Sequence, residues 1–223
     1  MLILYPTLGE GAFLRERARE RGVWRGRERL EGEGWSALEL GLGKVNAAMT
    51  LAAYLHERPE VDRILLVGIA GAYPGSGLRV GEAALAAQEI QGDLGTVGGL
   101  EALGRPALEF EGRRLYNHLP ADPLWTAELY RRLGLSPTTF LTRDTVSETR
   151  EEAAEWARRW GAALENMEGA AVAQTALWFG VPWAELRAIS NEAGVRDKTR
   201  WNVDAALDAL ARALETLLDE PGP

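Results

Sequence analysis

Arg63-Ile64-Leu65-Leu66-Val67-Gly68-Ile69-Ala70 is a continuous apolar run of strand length behind a single arginine, and it runs on to Gly71. A strand with one wet face alternates apolar and polar residues. This one does not, so it reads as a central strand buried on both faces, as in sheets covered by helices on each side. The same logic works outward in both directions. Leu2–Tyr5 reads as a buried first strand, and Gly9–Arg21 carries a helical charge pattern. Strand-like pieces follow over Val23–Leu30 and Ser36–Gly41, and Lys44–Leu55, rich in Ala and Leu, reads as a helix. After the central run, Glu82–Ile90 is a strand, and residues 92–120 are Gly-rich and irregular. Pro123–Leu133 is a helix, Thr138–Leu141 a strand and Arg150–Trp160 a helix. Ala162–Glu165 is a short strand feeding the helix Met167–Phe179, and Trp183–Ser190 is a strand. Val203, Leu207, Leu210, Leu214 and Leu217 recur at helical spacing, and Glu-Pro-Gly-Pro forms a tail. Strands alternating with helices, with no linker or repeat between them, predict one α/β domain over residues 1–223. In such a sheet, ligand-binding residues are expected in loops just past strand ends: Pro6–Gly11, Gly68–Gly71, Asn166–Gly169 and Ser190–Asn191.

Composition narrows the chemistry. With 223 residues, 46% of them apolar, the chain is long enough for a sizeable core. Its formal net charge of -8 argues against nucleic-acid partners and against an anionic membrane surface. Zero cysteines exclude disulfides, thiolate catalysis and cysteine-ligated metal, and two histidines, His56 and His118, exclude a His-rich metal site. No stretch is apolar enough to span a membrane. The start, with no basic segment before a long apolar one, reads as mature protein and predicts a cytoplasmic location. Lys44 and Lys198 are the only lysines among 25 basic residues, an arginine bias that fits a heat-tolerant source.

Four motifs could carry chemistry. Gly41-Leu-Gly43-Lys-Val-Asn46 half-matches a dinucleotide fingerprint, but the third glycine is Asn46 and no acidic residue ends the next strand. Tight turning and close backbone packing explain it more simply. Glu165-Asn-Met-Glu168-Gly-Ala-Ala places polar residues between a buried strand and a helix of small residues. Glu168 then lies at a helix N-terminus, where the macrodipole favours an anion and where a plain capping role is the simplest alternative. Leu186-Arg-Ala-Ile-Ser190-Asn191 brings two short hydrogen-bonding side chains to a strand end, where an ordinary turn would also use them. Pro6-Thr-Leu-Gly-Glu10 puts a glutamate after the first strand.

In this order and spacing the motifs resemble the nucleoside hydrolases of the purine nucleoside phosphorylase/nucleosidase family. The resemblance covers essentially the whole chain. It is carried by Gly41-Leu-Gly-Lys-Val-Asn-Ala-Ala, Gly68-Ile-Ala-Gly71 with Val80-Gly81-Glu82, Asn166-Met-Glu-Gly-Ala-Ala and Arg187-Ala-Ile-Ser-Asn. It implies a mixed central β-sheet flanked by helices, a homodimer or higher homo-oligomer, a small nucleoside with water as co-substrate, and no metal or cofactor. Glu10 matches the family glutamate that activates water, and Glu168 the one that holds the ribose hydroxyls. Met167 matches a methionine packed on the sugar. Ile69, Ala70 and Gly71 match the loop near water and base, Ser190 its neighbour, and Trp201 an aromatic over the base. Asn191 departs from the pattern, standing where adenine-specific members carry an aspartate. Adenine offers an acceptor at N7 and donors at its amine, whereas hypoxanthine offers two acceptors, N7 and O6, and an asparagine NH₂ donates to acceptors. Asn191 therefore points to a 6-oxopurine. Within the family, the members that act on futalosine, a hypoxanthine nucleoside of menaquinone biosynthesis bearing a distal benzoate, share Ser-Asn with Arg196-Asp197 and Trp201, and Asp93-Leu-Gly95. A cation for that benzoate is expected among Arg196, Lys198 and Arg143. A phosphorylase would need a Gly/Arg anion cradle where Glu10 stands. A nucleosidase of methylthioadenosine/S-adenosylhomocysteine type and a non-catalytic nucleoside-binding protein are the other readings.

Overall fold

The computed structural model describes residues 1–110 and 112–219, so the Glu-Pro-Gly-Pro tail lies outside the described residues. In chain order the elements are β1 (Leu2–Tyr5), α1 (Ala12–Arg17), β2 (Glu20–Trp24), β3 (Arg27–Glu31), β4 (Ser36–Glu39), α2 (Lys44–Glu57), β5 (Ile64–Ala72) and β6 (Ala83–Gln91). Then come β7 (Leu108–Phe110), β8 (Arg113–Leu115), β9 (His118–Pro120), α3 (Pro123–Leu133), β10 (Pro137–Thr142), α4 (Arg150–Trp160), β11 (Leu164–Asn166), α5 (Gly169–Phe179), β12 (Trp183–Glu192) and α6 (Val203–Asp219). Among the described residues no helix is long and apolar enough to cross a membrane.

Ten strands form one mixed sheet in the order β11-β10-β6-β12-β5-β1-β4-β3-β2, with β9 on β6. The run that decided the fold is β5, between β1 and β12 and parallel to both. Its continuous apolar character follows from two covered faces. Leu65 and Val67 pack with Ile3, Tyr5, Trp125, Leu129, Leu210 and Leu214, on the side of α3 and α6. Ile64 and Leu66 pack with Leu2, Leu4, Leu51, Leu55 and Val172, on the side of α2 and α5. At its far end β5 also pairs antiparallel with β11, through Leu164 to Ala72 and Glu165 to Gly71. The strands β5, β12, β6, β10 and β11 therefore close into a ring at that end of the sheet.

Helix starts follow local chemistry. Asp122 accepts a hydrogen bond from the Trp125 amide with Pro123 at the first turn of α3, and Thr149 accepts from the Glu152 amide at the start of α4. Helix α5 presses small residues, Gly169, Ala170, Ala173 and Ala176, against the sheet. A Cβ at Gly169 would lie 2.5 Å from Cδ of Glu89 and 2.7 Å from Oε2 of Glu185, so no side chain fits there.

Three local expectations are corrected. The charge pattern of Gly9–Arg21 yields a helix only over Ala12–Arg17, because Glu20 onward is taken by strand pairing. Val23–Leu30 is not one strand but the inner part of the β2–β3 hairpin. Arg25 and Gly26 make its turn, both at positive φ (48° and 79°), as in a type I′ turn. The irregular 92–120 segment contains the β7–β8 pair and β9. It is tied down by Asn117, which accepts from the Leu100 amide (2.7 Å) and donates to the Gln91 (2.7 Å) and Leu94 (2.9 Å) carbonyls.

Candidate active site

A cavity of about 250 Å³ opens where β1, β5, β11 and β12 end. Its walls include Glu10, Ile69, Ala70, Gly71, Met167, Glu168, Ser190, Asn191 and Trp201, so nine of the residues expected from sequence converge on one space. They do not all sit in loops. Ile69–Gly71 lie within β5, and Ser190 and Asn191 within β12, which continues to Glu192. The register between β12 and β5 slips by one residue at Ser190: Ile189 faces Ala70 and Asn191 faces Gly71. This bulge breaks the alternation of the strand, so that both Ser190 and Asn191 line the cavity.

Glu10 arrives on the loop after β1. Its carboxylate accepts from the Thr7 hydroxyl (2.7 Å) and from the Ile69 amide (2.9 Å), and it is 8% exposed. Burial raises its pKa above the ordinary carboxylate range, and the Arg187 guanidinium opposes that rise. Gly68 makes the approach possible. A Cβ there would lie 2.5 Å from Arg187 Nη1 and 2.7 Å from Glu10 Oε1.

Glu168 precedes α5 but does not cap it. The first amides of α5 are satisfied elsewhere. Asn166 Oδ1 accepts from the Glu168 and Gly169 amides, and Thr142 Oγ1 from the Ala170 amide. The Glu168 side chain is thereby free to cross to the Gly41–Gly43 turn. There Oε1 accepts from the Gly43 amide (2.9 Å), while Oε2 lies 3.4 Å from Arg187. The turn that half-matches a phosphate loop thus spends its amide on a carboxylate.

Arg187 was not singled out for a role from the sequence. Its signal was a pair of opposite charges, Glu185 and Arg187, inside an otherwise apolar stretch of strand. It is 1% exposed, donates from Nε to Glu185 Oε1 (2.7 Å) and from Nη1 to the Ile69 carbonyl (3.3 Å), and stands against both Glu168 and Glu10. These carboxylates raise its pKa further, so it is permanently charged. Behind it Glu89 and Glu185 are wholly buried neighbours. Desolvation and the adjacent Glu185 push Glu89 well above the usual carboxylate range, and desolvation raises Glu185 too, against the opposing Arg187 guanidinium. Glu89, without the cationic partner that Glu185 has in Arg187, favours its protonated form the more strongly of the two. It accepts from Thr142 Oγ1 (2.8 Å) and Asn166 Nδ2 (2.5 Å).

Other expected residues lie elsewhere. Arg196 is not in the wall. It is at the rim, paired with Glu148 (3.4 Å) and 5.7 Å over the Trp201 ring. Lys198 stands in a short 3₁₀ turn before Trp201. Arg143 is corrected as a ligand cation: it is 5% exposed and engaged by Glu152, Ser147 and Glu165, with no face on the cavity. Asp93 pairs with Lys44 and accepts from the Asp144 amide, tying a loop to the start of α2. Thr7, Leu42, Val146 and Glu165 line the cavity and carried no signal of their own.

Comparison with known proteins follows the same outline. Residues 15–220 match the family model of the phosphorylase superfamily. The chain is 55% identical over 221 residues to a futalosine hydrolase of Thermus thermophilus, covering 99% of this chain and 96% of that protein. A futalosine hydrolase of Streptomyces coelicolor is 37% identical over 195 residues, covering 83% and 79% respectively. Among solved structures, the futalosine hydrolase of Helicobacter pylori superposes with a TM-score of 0.80 at 20% identity, over 98% of this chain and 96% of that one. A methylthioadenosine/S-adenosylhomocysteine nucleosidase of Colwellia psychrerythraea, in complex with adenine, gives 0.82 at 22% identity, over 98% and 93%.

Proposed function

The chain belongs to the phosphorylase superfamily, and on that premise we propose that it is a nucleosidase hydrolysing the N-glycosidic bond of futalosine, with hypoxanthine as the released base, in menaquinone biosynthesis. One observation carries the reading. Two buried carboxylates, Glu10 and Glu168, share a cavity and a single guanidinium, and the same cavity presents Asn191.

The parts suit bond cleavage at C1′. As the C1′–N9 bond breaks, the electron pair leaves with the purine and positive charge grows on the ribose. Glu168 accepts hydrogen bonds from the ribose hydroxyls and lies on the side where that charge develops. Water adds its oxygen to C1′ and gives a proton to Glu10. A carboxylate with a raised pKa is a stronger base than an ordinary one. Arg187 keeps both carboxylates in place without taking a proton itself. Asn191 gives the departing base a hydrogen bond and no proton, so the purine leaves as an anion and is protonated afterwards. Met167 packs on the sugar, Trp201 closes over the base, and Arg196, 5.7 Å over the Trp201 ring, is our candidate cation for the distal carboxylate.

The test is incubation with futalosine, inosine and methylthioadenosine, with and without phosphate, reading free base. Release of hypoxanthine from futalosine at a rate independent of phosphate is expected. Dependence on phosphate would make the protein a phosphorylase, preference for methylthioadenosine an adenine-type nucleosidase, and binding without release a nucleoside-binding protein.

A further inference from the structure

Glu185 takes part in no step above, yet it is a carboxylate wholly buried within β12. Arg187 lines the cavity and Glu185 does not. The two share one face of the strand, and Glu185 Oε1 accepts from Arg187 Nε at 2.7 Å. The guanidinium therefore has two sides. Forward, Nη1 donates to the Ile69 carbonyl (3.3 Å), and both Nη atoms lie 3.4 Å from Glu168 Oε2. Nη1 and Glu10 Oε1 also flank one point at Gly68. Backward, the Nε edge is spent on Glu185.

Few groups face Glu10. Arg187 comes from β12, Glu168 from the corner before α5, the Thr7 hydroxyl from its own loop and the Ile69 amide from β5. Glu185 faces Arg187 on its own strand, Glu89 from β6, and Glu168. A guanidinium with no counter-charge behind it would stabilise the Glu10 carboxylate and weaken it as a base. Glu185 takes up part of that positive field. Glu89 decides whether it can, because two adjacent carboxylates in a dry interior hold one negative charge between them. Glu185 Oε2 is buried with no hydrogen-bond partner among the described residues, and Glu89 flanks the same point, at Gly169. A proton held between the two carboxylates satisfies Oε2 and leaves Oε1 charged toward Arg187.

We propose that Glu185 is a positioning residue for the reaction: it backs Arg187 with the one negative charge that it shares with Glu89, so that Arg187 holds Glu10 and Glu168 in place while Glu10 stays basic enough to take the water proton. This rests on the nucleosidase reading above and adds to it the group that keeps the base strong.

The experiment follows kcat/KM for futalosine against pH in Glu89→Gln and in the variant carrying both Glu89→Gln and Glu185→Gln. With Glu89 replaced, only Glu185 can carry the charge, so the pair of variants isolates it. The second amide still accepts from Arg187 Nε, so the guanidinium keeps its anchor and loses its counter-charge. The acidic limb of the profile is expected to move to lower pH by about one unit, a tenfold weaker hold of Glu10 on its proton. A purely structural role would lower the rate and leave the limb where it is. That result, or a shift to higher pH, overturns the proposal. If the double variant does not fold by circular dichroism, infrared spectra of wild type and Glu89→Gln are compared at a pH above the limb, where Glu10 is ionised. A protonated-carboxyl band that Glu89→Gln removes supports the proposal. A band that survives the substitution, or no such band in wild type, overturns it. Failure of wild type to release base from futalosine would instead defeat the nucleosidase reading.

Discussion

Along β3, Arg27, Glu28, Arg29 and Glu31 are all half-buried at the surface. Arg29 pairs with Glu31, and Glu28 with Arg15 at 2.9 Å. Along β12, Glu185 and Arg187 stand at the same i, i+2 spacing and are 0% and 1% exposed. The composition of the two strands predicts similar behaviour, and solvent decides otherwise. In the hairpin, water screens each pair, and the loss of one partner exposes the other to solvent. In the cavity wall these side chains are almost sealed from bulk solvent, so each of Glu10, Glu168, Glu185 and Arg187 depends strongly on the others. The hairpin holds a shape, whereas the wall holds charges where a reaction needs them.

Arg187→Gln should break that contrast most severely. It leaves Glu185, Glu168 and Glu10 facing one another without a cation, which should destabilise the fold by about 3–5 kcal/mol and remove turnover. Chemical denaturation and kinetics would check both, and a loss below ~1 kcal/mol would mean that the wall tolerates unpaired charge as the hairpin does.

Glu10→Gln should lower turnover by ~10²–10⁴-fold while nucleoside binding survives. Wild-type kcat/KM should fall on acidification with a midpoint above the ordinary carboxylate range, because burial raises Glu10, and this limb should vanish in the variant. The stability sign is the reverse of an ordinary paired carboxylate. A raised pKa means that the fold favours the protonated form, so this favourable contribution is present at low pH and lost as pH rises through the folded pKa. The amide mimics the protonated form. Glu10→Gln should therefore melt at or above the wild-type temperature at neutral pH, and the gain should shrink on acidification.

Glu89→Gln and Glu185→Gln sharpen the comparison inside the wall. Glu89 favours its neutral form, so its amide should change stability by under ~1 kcal/mol, whereas removing the carboxylate that anchors Arg187 should cost about 2–3 kcal/mol. Equal effects would assign the shared proton wrongly. The smallest effect belongs to the hairpin. Arg25→Asn puts a residue tolerant of positive φ into the turn at the expense of an exposed ion pair with Glu57, and the melting temperature should stay within about 2 °C of wild type.

Much of this was legible in the chain because burial leaves a pattern. Pro123–Leu133 and Arg150–Trp160 begin at side chains that cap helices and have the boundaries expected from sequence. The run after Arg63 is apolar throughout because both its faces are covered. Glu10, Glu168 and Asn191 were singled out by a resemblance of motifs, and the structure brings the three to one cavity. What stayed hidden depends on pairings between distant segments. The Ser190 bulge exists only as a slip against β5. The turn at Arg25 has no local marker beyond Gly26, since arginine is not the residue expected at positive φ. Glu165 looks like any strand-end glutamate until Ser147 and Arg143 are seen behind it.

The β5–β11 seam has a consequence in time. The cavity draws on the first strand, on β5, on the corner after β11 and on β12, the last strand of the sheet. A ribosome that has delivered everything through Phe179 has made both glutamates and β5, but neither the guanidinium that lies between them nor Asn191. The β5 edge destined for β12 is still unpaired, an apolar edge of the kind that chains in mid-synthesis offer to the wrong partner. With so many of its contacts spanning most of the sequence, the chain should fold slowly for its length. Competence should arrive in one step once the final strand and the Trp201 segment after it are in place, leaving no version shortened before them that works a little.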